Sequence, residues 1–384
     1  MKYDIETIKS KEKFYSMNDD WNKLLNESQN PNVFLTWEWL YEWFDIFGSI
    51  FKLYIITIKE NNRLIGIAPF IINKNNFSKI QIINYLGSAS VCSDYLDLII
   101  KRGYEDDVIK ELFDFLRNNH KEWDIIMLSD MNFDSQNLNI IMEHTKNNNF
   151  MSKLKVITKC PYITLPKDFR QFLNRFGHDS RYKFRRSQRK LKEDLKSSII
   201  SVNNENEVLK SMNAIFELNS KRWKKEGIKG SFYNEDLRNF NINVSKKFLK
   251  NGWLQLDYMI IGARVIAYCH NFKFKNKIYG YSTSHDPDPS LTKLGVGRIL
   301  QLKCIENAIN SGILEYDLLR GTSEYKYSFS KEERTLVSFT IGRKSFKSSL
   351  YFFLDDTFNL AIMFSRLIIP KQARKILGDI YLRK

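Results

Sequence analysis

The residues best suited to chemistry fall in one stretch, His285 to Lys326. Gly295-Val296-Gly297 opens a segment in which Leu302, Ile305 and Ile309 recur at helical spacing, with Ala308 beside them. Glycine lets the backbone turn tightly and leaves no side chain between amide groups and an anion. The first N–H groups of such a helix lack partners within it, and its dipole favours negative charge there. Lys293 and Arg298 flank the loop and add charge. The pattern suits a phosphate cradle, and equally a helix start with permissive glycines. It has neither the third glycine of a Rossmann turn nor the Gly-Lys-Ser/Thr of a P-loop. Farther on, Glu324, Tyr325 and Lys326 place a carboxylate, a phenol and an ammonium in succession. A second carboxylate, Asp94, stands in Ser93-Asp94-Tyr95.

Those groups need a frame. Before the loop, Trp253 to Tyr258 and Arg264 to Tyr281 read as strands, broken near Lys275-Asn276. After the helix, Ser311-Gly312 supplies a C-cap and Glu315 to Leu319 a buried strand. The first half offers the same order. Leu53 to Lys59, a turn at Glu60 to Arg63 and Leu64 to Ile72 read as a hairpin. Tyr95 to Ile100 follows, then a helix carrying Ile109, Leu112, Phe113 and Leu116, then a strand from Trp123 to Leu128. Arg63 to Phe70 lines up with Ala263 to His270, and Glu122 to Leu128 with Glu315 to Gly321. The reading is two tandem α/β units, spanning 1–165 and 166–345, with a helical extension over 346–384.

Strand, strand, glycine loop, helix, strand is also the order of the GNAT acyltransferase core. The chain resembles the GNAT-like acetyltransferases of bacterial polysaccharide-biosynthesis clusters, relatives of the FemABX peptidyltransferases. The resemblance rests on Phe34 to Leu40, Leu64 to Phe70, Ser93 to Asp97, Cys160 to Ile163, Arg181 to Arg189, Arg222-Trp223 and Asp317 to Lys326. It implies mixed sheets flanked by helices, and acetyl-CoA or another acyl-CoA as co-substrate. The cofactor would lie on Thr292, Lys293, Leu294, Gly295, Val296, Gly297 and Arg298. The family loop begins with Arg or Gln three positions before the first glycine. Here that position holds Thr292, with Lys293 as the neighbouring cation. The corresponding helix of the first half lacks the glycines and begins Glu105-Asp106-Asp107, which would repel a pyrophosphate. A single cofactor site is therefore expected.

Acyl transfer from a thioester to an amine needs a base for the amine, a donor for the oxyanion and a proton for the departing thiolate. Glu324 and Asp94 are the candidate bases. Backbone N–H groups of a splayed strand, Lys277 to Ser284, would serve the oxyanion, and Tyr281 or Tyr325 the thiolate. Lys326 would neutralise an oxyanion or an acceptor phosphate. Trp37, Tyr85, Arg222 and Trp223 are expected at the acceptor, although in WEWLYEWF the residues Trp39, Leu40 and Trp43 space as the buried face of a helix. Arg181, Arg185 and Arg189 recur every four residues on a basic helix with Arg186. That helix is either a solvated face or a phosphate grip for the acceptor or for RNA.

Composition limits the alternatives. The 384-residue chain carries a formal net charge of +16, which favours anionic partners. Four scattered cysteines and five histidines form no ligand-spaced set, so no metal is expected. No signal peptide or spanning segment is visible, so a cytoplasmic protein is expected. The apolar run from Leu350 to Ile369, followed by Lys371, Arg374 and Lys375, adds the option of a peripheral membrane contact. The leading expectation is an acyl-CoA-dependent N-acyltransferase acting on an amino sugar or similar small amine, nucleotide- or lipid-linked, in polysaccharide biosynthesis. Two alternatives stay open: a FemABX-type enzyme using aminoacyl-tRNA, and a non-catalytic RNA- or membrane-binding module.

Overall fold

A computed structural model describes residues 2–73, 80–88, 91–225, 230 and 232–356. The first half runs β1 (Tyr3–Ile8), α1 (Lys11–Tyr15), α2 (Asn18–Glu27), α3 (Trp37–Phe47), β2 (Phe51–Leu53), β3 (Ile55–Glu60), β4 (Arg63–Ala68), β5 (Phe70–Asn73), β6 (Ile82–Tyr85), β7 (Ile99–Ile100), α4 (Glu105–Asn118), β8 (Ile125–Asn132), α5 (Gln136–Asn147) and β9 (Met151–Thr164). The second runs α6 (Phe169–Leu173), α7 (His178–Glu193), β10 (Ser198–Ser201), α8 (Glu205–Lys225), α9 (Glu235–Lys250), β11 (Leu254–Ile261), β12 (Arg264–Phe274), β13 (Lys277–His285), α10 (Pro289–Leu294), α11 (Val296–Asn310), β14 (Glu315–Asp317), α12 (Glu324–Tyr327) and β15 (Glu333–Gly342). Residues 346–356 are helical, and the expected continuation over 357–384 lies outside the described residues.

The repeated order is visible in the topology. In the first half β6 runs parallel to β8 across the crossover that carries α4; in the second β13 runs parallel to β14 across α11. Every other recorded strand pairing is antiparallel. The β3–β4 hairpin turns through Asn61 and Asn62, both left-handed (φ 48° and 63°), as Asn tolerates.

The halves interlock. A single sheet has the order β10-β11-β12-β13-β14-β9-β15-β8-β6-β5-β2. Thus β15, late in the chain, lies between β8 and β9 of the first half, and its Val337, Phe339 and Ile341 enter the first half's core. Helix α9 packs on α3 across the same boundary, bringing Phe240 against Trp39 at 4.9 Å between ring centroids. The boundary drawn near residue 165 is crossed by both a strand and a helix.

Helix α11 departs from the amphipathic pattern expected of it. Val296, Ile299, Leu300, Leu302, Cys304, Ile305 and Ile309 are buried, on more than one face. The reason is a second cover: the strands β11–β13 pack one side, and α6 and α7 the other. Its end is as expected. Gly312 is left-handed (φ 70°), and Gly312 and Ile313 donate back to Ile309 and Ala308 at 3.0 Å.

Candidate active site

The pairing of β13 with β14 covers only Lys277–Tyr279 against Glu315–Asp317. Beyond it β13 continues to His285 beside β12, while β14 has ended. The parallel pair therefore opens from Gly280 onward, in the strand expected to be splayed. A Cβ at Gly280 would stand 3.3 Å from the Asp317 carbonyl oxygen, so the strands diverge from a point of close backbone approach.

Helix α11 begins at the far end of β13. A Cβ on Gly297 would meet the His285 ring at 3.3 Å, so glycine is what allows the first helical turn to sit against the strand end. Gly295 is left-handed (φ 67°) and accepts the Ile299 N–H at 3.0 Å. The N–H groups of Val296, Gly297 and Arg298 precede that first helical bond and have no acceptor within the helix. This is a backbone cradle that an anion would complete.

The flank of the cradle differs from expectation. Thr292, Lys293 and Leu294 are not loop residues but the last turn of α10, with Thr292 and Lys293 exposed. The signal for that short helix was legible: Asp288 caps it, accepting from Ser290 at 2.9 Å, and Pro289 occupies the first turn. The Arg298 guanidinium lies over three rings, Phe184 (4.7 Å), Phe329 (5.2 Å) and Phe176 (5.6 Å). Burial holds its pKa below the usual arginine range.

The first half closes the other wall. Asp94, expected as a base, is fully buried and engaged by a neighbour that the sequence reading overlooked. Its carboxylate accepts from the backbone N–H of Arg320 at 2.9 Å and from the Arg320 guanidinium. Arg320 also reaches the Ser93 carbonyl (3.0 Å) and Asp130 (2.7 Å). Burial raises the Asp94 pKa and Arg320 opposes that rise. The geometry makes this carboxylate an inter-half anchor, with no open side from which to take an amine proton. The readable hint was Arg320 itself, a lone cation directly after a buried strand.

Lys326 and Tyr281 are likewise committed. Lys326 donates to the carbonyls of Leu319 (2.9 Å) and Arg320, steadying a loop in which Leu319 and Gly321 are left-handed. Burial lowers its pKa. Tyr281 donates to the Val91 carbonyl at 2.8 Å, and burial raises its pKa well above the ordinary phenol value. That hydroxyl is committed to a backbone carbonyl of the first half, so the structure does not favour Tyr281 as the acid.

Glu324 is different. It opens α12, is exposed, and its carboxylate has no hydrogen bond or ion pair among the described residues. Tyr325, next to it, is 36% exposed and packs edge-on to Phe329. Burial raises its pKa, and the Arg298 and Arg222 cations oppose that rise. Arg222 lies over the Trp223 ring at 5.3 Å.

Two expected acceptor residues are core residues instead. Trp37 stacks on Tyr41 at 4.6 Å and donates Nε1–H to the Phe14 carbonyl. Tyr85 is wholly buried against Phe70, its hydroxyl 3.7 Å from the Met131 sulfur. Each ring is covered by elements the local sequence does not announce. Arg181 and Arg186 sit on α7, Arg181 donating to Asn174 at 3.0 Å and Arg186 exposed. The first half's acidic helix start is self-satisfied: Glu105 accepts the Gly103 N–H (2.8 Å), and Asp107 accepts from Tyr3 (2.6 Å). Among the described residues no His, Cys, Asp and Glu side chains group to hold a metal ion, and no helix is long and apolar enough to cross a membrane.

Comparison with known proteins adds to this geometry. Residues 178–327 match the family model of the acetyltransferase (GNAT) domain. The match takes in α7, the diverging strands, the glycine cradle and α12. No curated protein matches the sequence. Among solved structures the chain is similar to FemX (TM-score 0.62, 10% identity, covering 88% of this chain and 96% of that one). It is also similar to a protein of unknown function from Bacteroides thetaiotaomicron (0.58, 9%, 88% and 100%) and to L-PGS from Bacillus licheniformis (0.50, 10%, 85% and 92%). At these identities the likeness is one of fold: GNAT-like α/β units with mixed sheets flanked by helices.

Proposed function

We propose that this protein is an acyl-CoA-dependent N-acyltransferase whose acceptor is an amino sugar or a similar small amine of cell-surface polysaccharide biosynthesis. The observation that carries the reading is the opening of β13 from β14 at Gly280, together with a first turn of α11 whose leading N–H groups have no acceptor within the helix. A pyrophosphate fits the amides of Val296 to Arg298, and the freed edge of β13 offers N–H groups to a thioester carbonyl. Glu324 is the base we assign, because its carboxylate is exposed, makes no hydrogen bond or ion pair among the described residues, and opens the short helix that follows β14. Tyr325 is the group we assign to protonate the thiolate.

In this scheme the acceptor ammonium loses a proton to Glu324, directly or through one water, and the free amine attacks the thioester carbonyl. A C–N bond forms, the C–S bond breaks, and the thiolate takes up a proton. Arg320, Asp94 and Lys326 touch none of the reacting atoms in this scheme; they hold the loop after β14 in place. Acetyl-CoA at saturating concentration should raise the melting temperature through linkage. An unchanged melting temperature would sink the proposal.

A second reading has its own support. The likeness to FemX extends over 96% of that protein, and α7 presents a basic surface. An aminoacyl-tRNA would then replace acyl-CoA as donor, and tight, steeply salt-dependent tRNA binding would favour it.

A further inference from the structure

A groove of about 260 Å³ lies between α6, α7 and α11, with Ile199 of β10 and Met259 of β11 also in its lining. Its floor is apolar. Phe169 and Leu173 come from α6, Phe184 and Leu191 from α7, and Ile299 and Leu302 from α11. On each helix these residues stand three, four or seven positions apart, so each helix turns one continuous apolar stripe towards the groove.

The rim is cationic. Arg181, Arg185, Lys192 and Lys303 stand around the floor, with Glu306 as the one lining carboxylate. Lys303 bonds that carboxylate at 2.7 Å, and Arg181 donates to the neutral Asn174 side chain. Arg185 and Lys192 have no ion pair among the described residues. Three positive charges on the rim therefore lack a carboxylate partner in the groove. An uncharged chain would satisfy the floor alone and a free anion the rim alone. A phosphate head suits the arginines, whose planar forks bind its oxygens two at a time.

We propose that this groove binds a single-chain amphiphile with an anionic phosphate head, of the lysophospholipid or alkyl phosphate kind. The chain lies along Leu173, Phe184 and Leu302, and the phosphate sits between Arg185 and Lys192. The groove shares Phe184 with the rings beneath Arg298, but the proposal does not depend on the reading of the acyl-transfer cleft.

Calorimetric titration of the full chain with octyl and decyl phosphate, each below its micelle concentration, tests it. Burying a methylene is worth up to about fourfold in affinity. Decyl phosphate should therefore bind roughly four- to sixteenfold tighter than octyl phosphate. Inorganic phosphate and decyl maltoside, which carry one half of the ligand each, should bind at least tenfold more weakly than decyl phosphate. The Arg185→Glu, Lys192→Glu double variant changes two exposed side chains, so folding is not at stake. It should weaken decyl phosphate at least tenfold and leave decyl maltoside unmoved. Equal affinity for the two alkyl phosphates, or for inorganic phosphate, would overturn the proposal and leave a simple anion patch. Binding to vesicles of anionic phospholipid without binding to the monomers would overturn it in favour of a membrane-facing surface.

Discussion

Arg320, just beyond β14 in the second half, donates its backbone N–H to Asp94 of the first half at 2.9 Å and its guanidinium to Asp94 and Asp130. One side chain thus joins the halves at the edge of the cleft, where Asp94 is fully buried. A pair of this kind is costly to break from one side, because the partner is left charged and desolvated. Arg320→Ala should destabilise the protein by about 3–5 kcal/mol in urea denaturation. Arg320→Lys should recover only part of that, since an ammonium cannot reproduce the forked contacts. A loss under about 1 kcal/mol for Arg320→Ala would mean that the halves are held by their shared core alone.

The assignment of Glu324 separates catalysis from stability. Glu324→Gln removes a base from an exposed, unengaged position. Stability should stay within about 0.5 kcal/mol of the parent. The kcat/KM for acetyl transfer to an amino-sugar panel should fall about 100-fold or more. Stabilisation by acetyl-CoA should persist. Full activity in this variant would remove Glu324 from the mechanism.

Gly297 tests the cradle. A Cβ there would press on His285 at 3.3 Å, and a branched side chain would crowd the amides as well. Gly297→Val should abolish the thermal shift with acetyl-CoA. The control is Gly312→Ala at the other end of α11, where the left-handed backbone (φ 70°) is also strained by a side chain but no anion is proposed. That variant should lose about 1 kcal/mol of stability and keep the shift.

Burial sets a pH dependence at Asp97. Its carboxyl is pushed up to about 6 by desolvation, against bonds from Ser135, Asn137 and the Leu98 N–H. The folded state therefore holds a proton that the unfolded chain releases near pH 4. Stability from this group is present at low pH and is lost as pH rises from about 4 to 6. Asp97→Asn should flatten that part of the stability profile. The difference between variant and parent should grow by about 3 kcal/mol at most across the window. An unchanged slope would show that Asp97 ionises at its ordinary value in the fold.

Much of the frame was legible because its signals are local. Asn61-Asn62 between two apolar runs announces the β3–β4 hairpin, and Ser311-Gly312 the end of α11. The Gly295–Gly297 step, with Leu302, Ile305 and Ile309 beyond it, announces a helix with an open first turn. The Asp288-Pro289 pair is the local signal for the short helix α10, which puts Thr292, Lys293 and Leu294 in a helical turn and not in the glycine loop.

The site residues divide along the same line. By itself the sequence determined which backbone turns, which helix begins on glycine, and that a carboxylate, a phenol and an ammonium follow a buried strand. Those are properties of neighbours in the chain, decided by φ preferences and hydrophobic period. Only the tertiary structure decided that Trp37 and Tyr85 are core, that Asp94 is engaged by Arg320, and that Glu324 is exposed. It also decided that the second half's last strand lies inside the first half's sheet. Burial depends on which element lies alongside, and here that element comes from far away in the chain. Arg320 meets Asp94 because the interlocked sheet brings the two halves together.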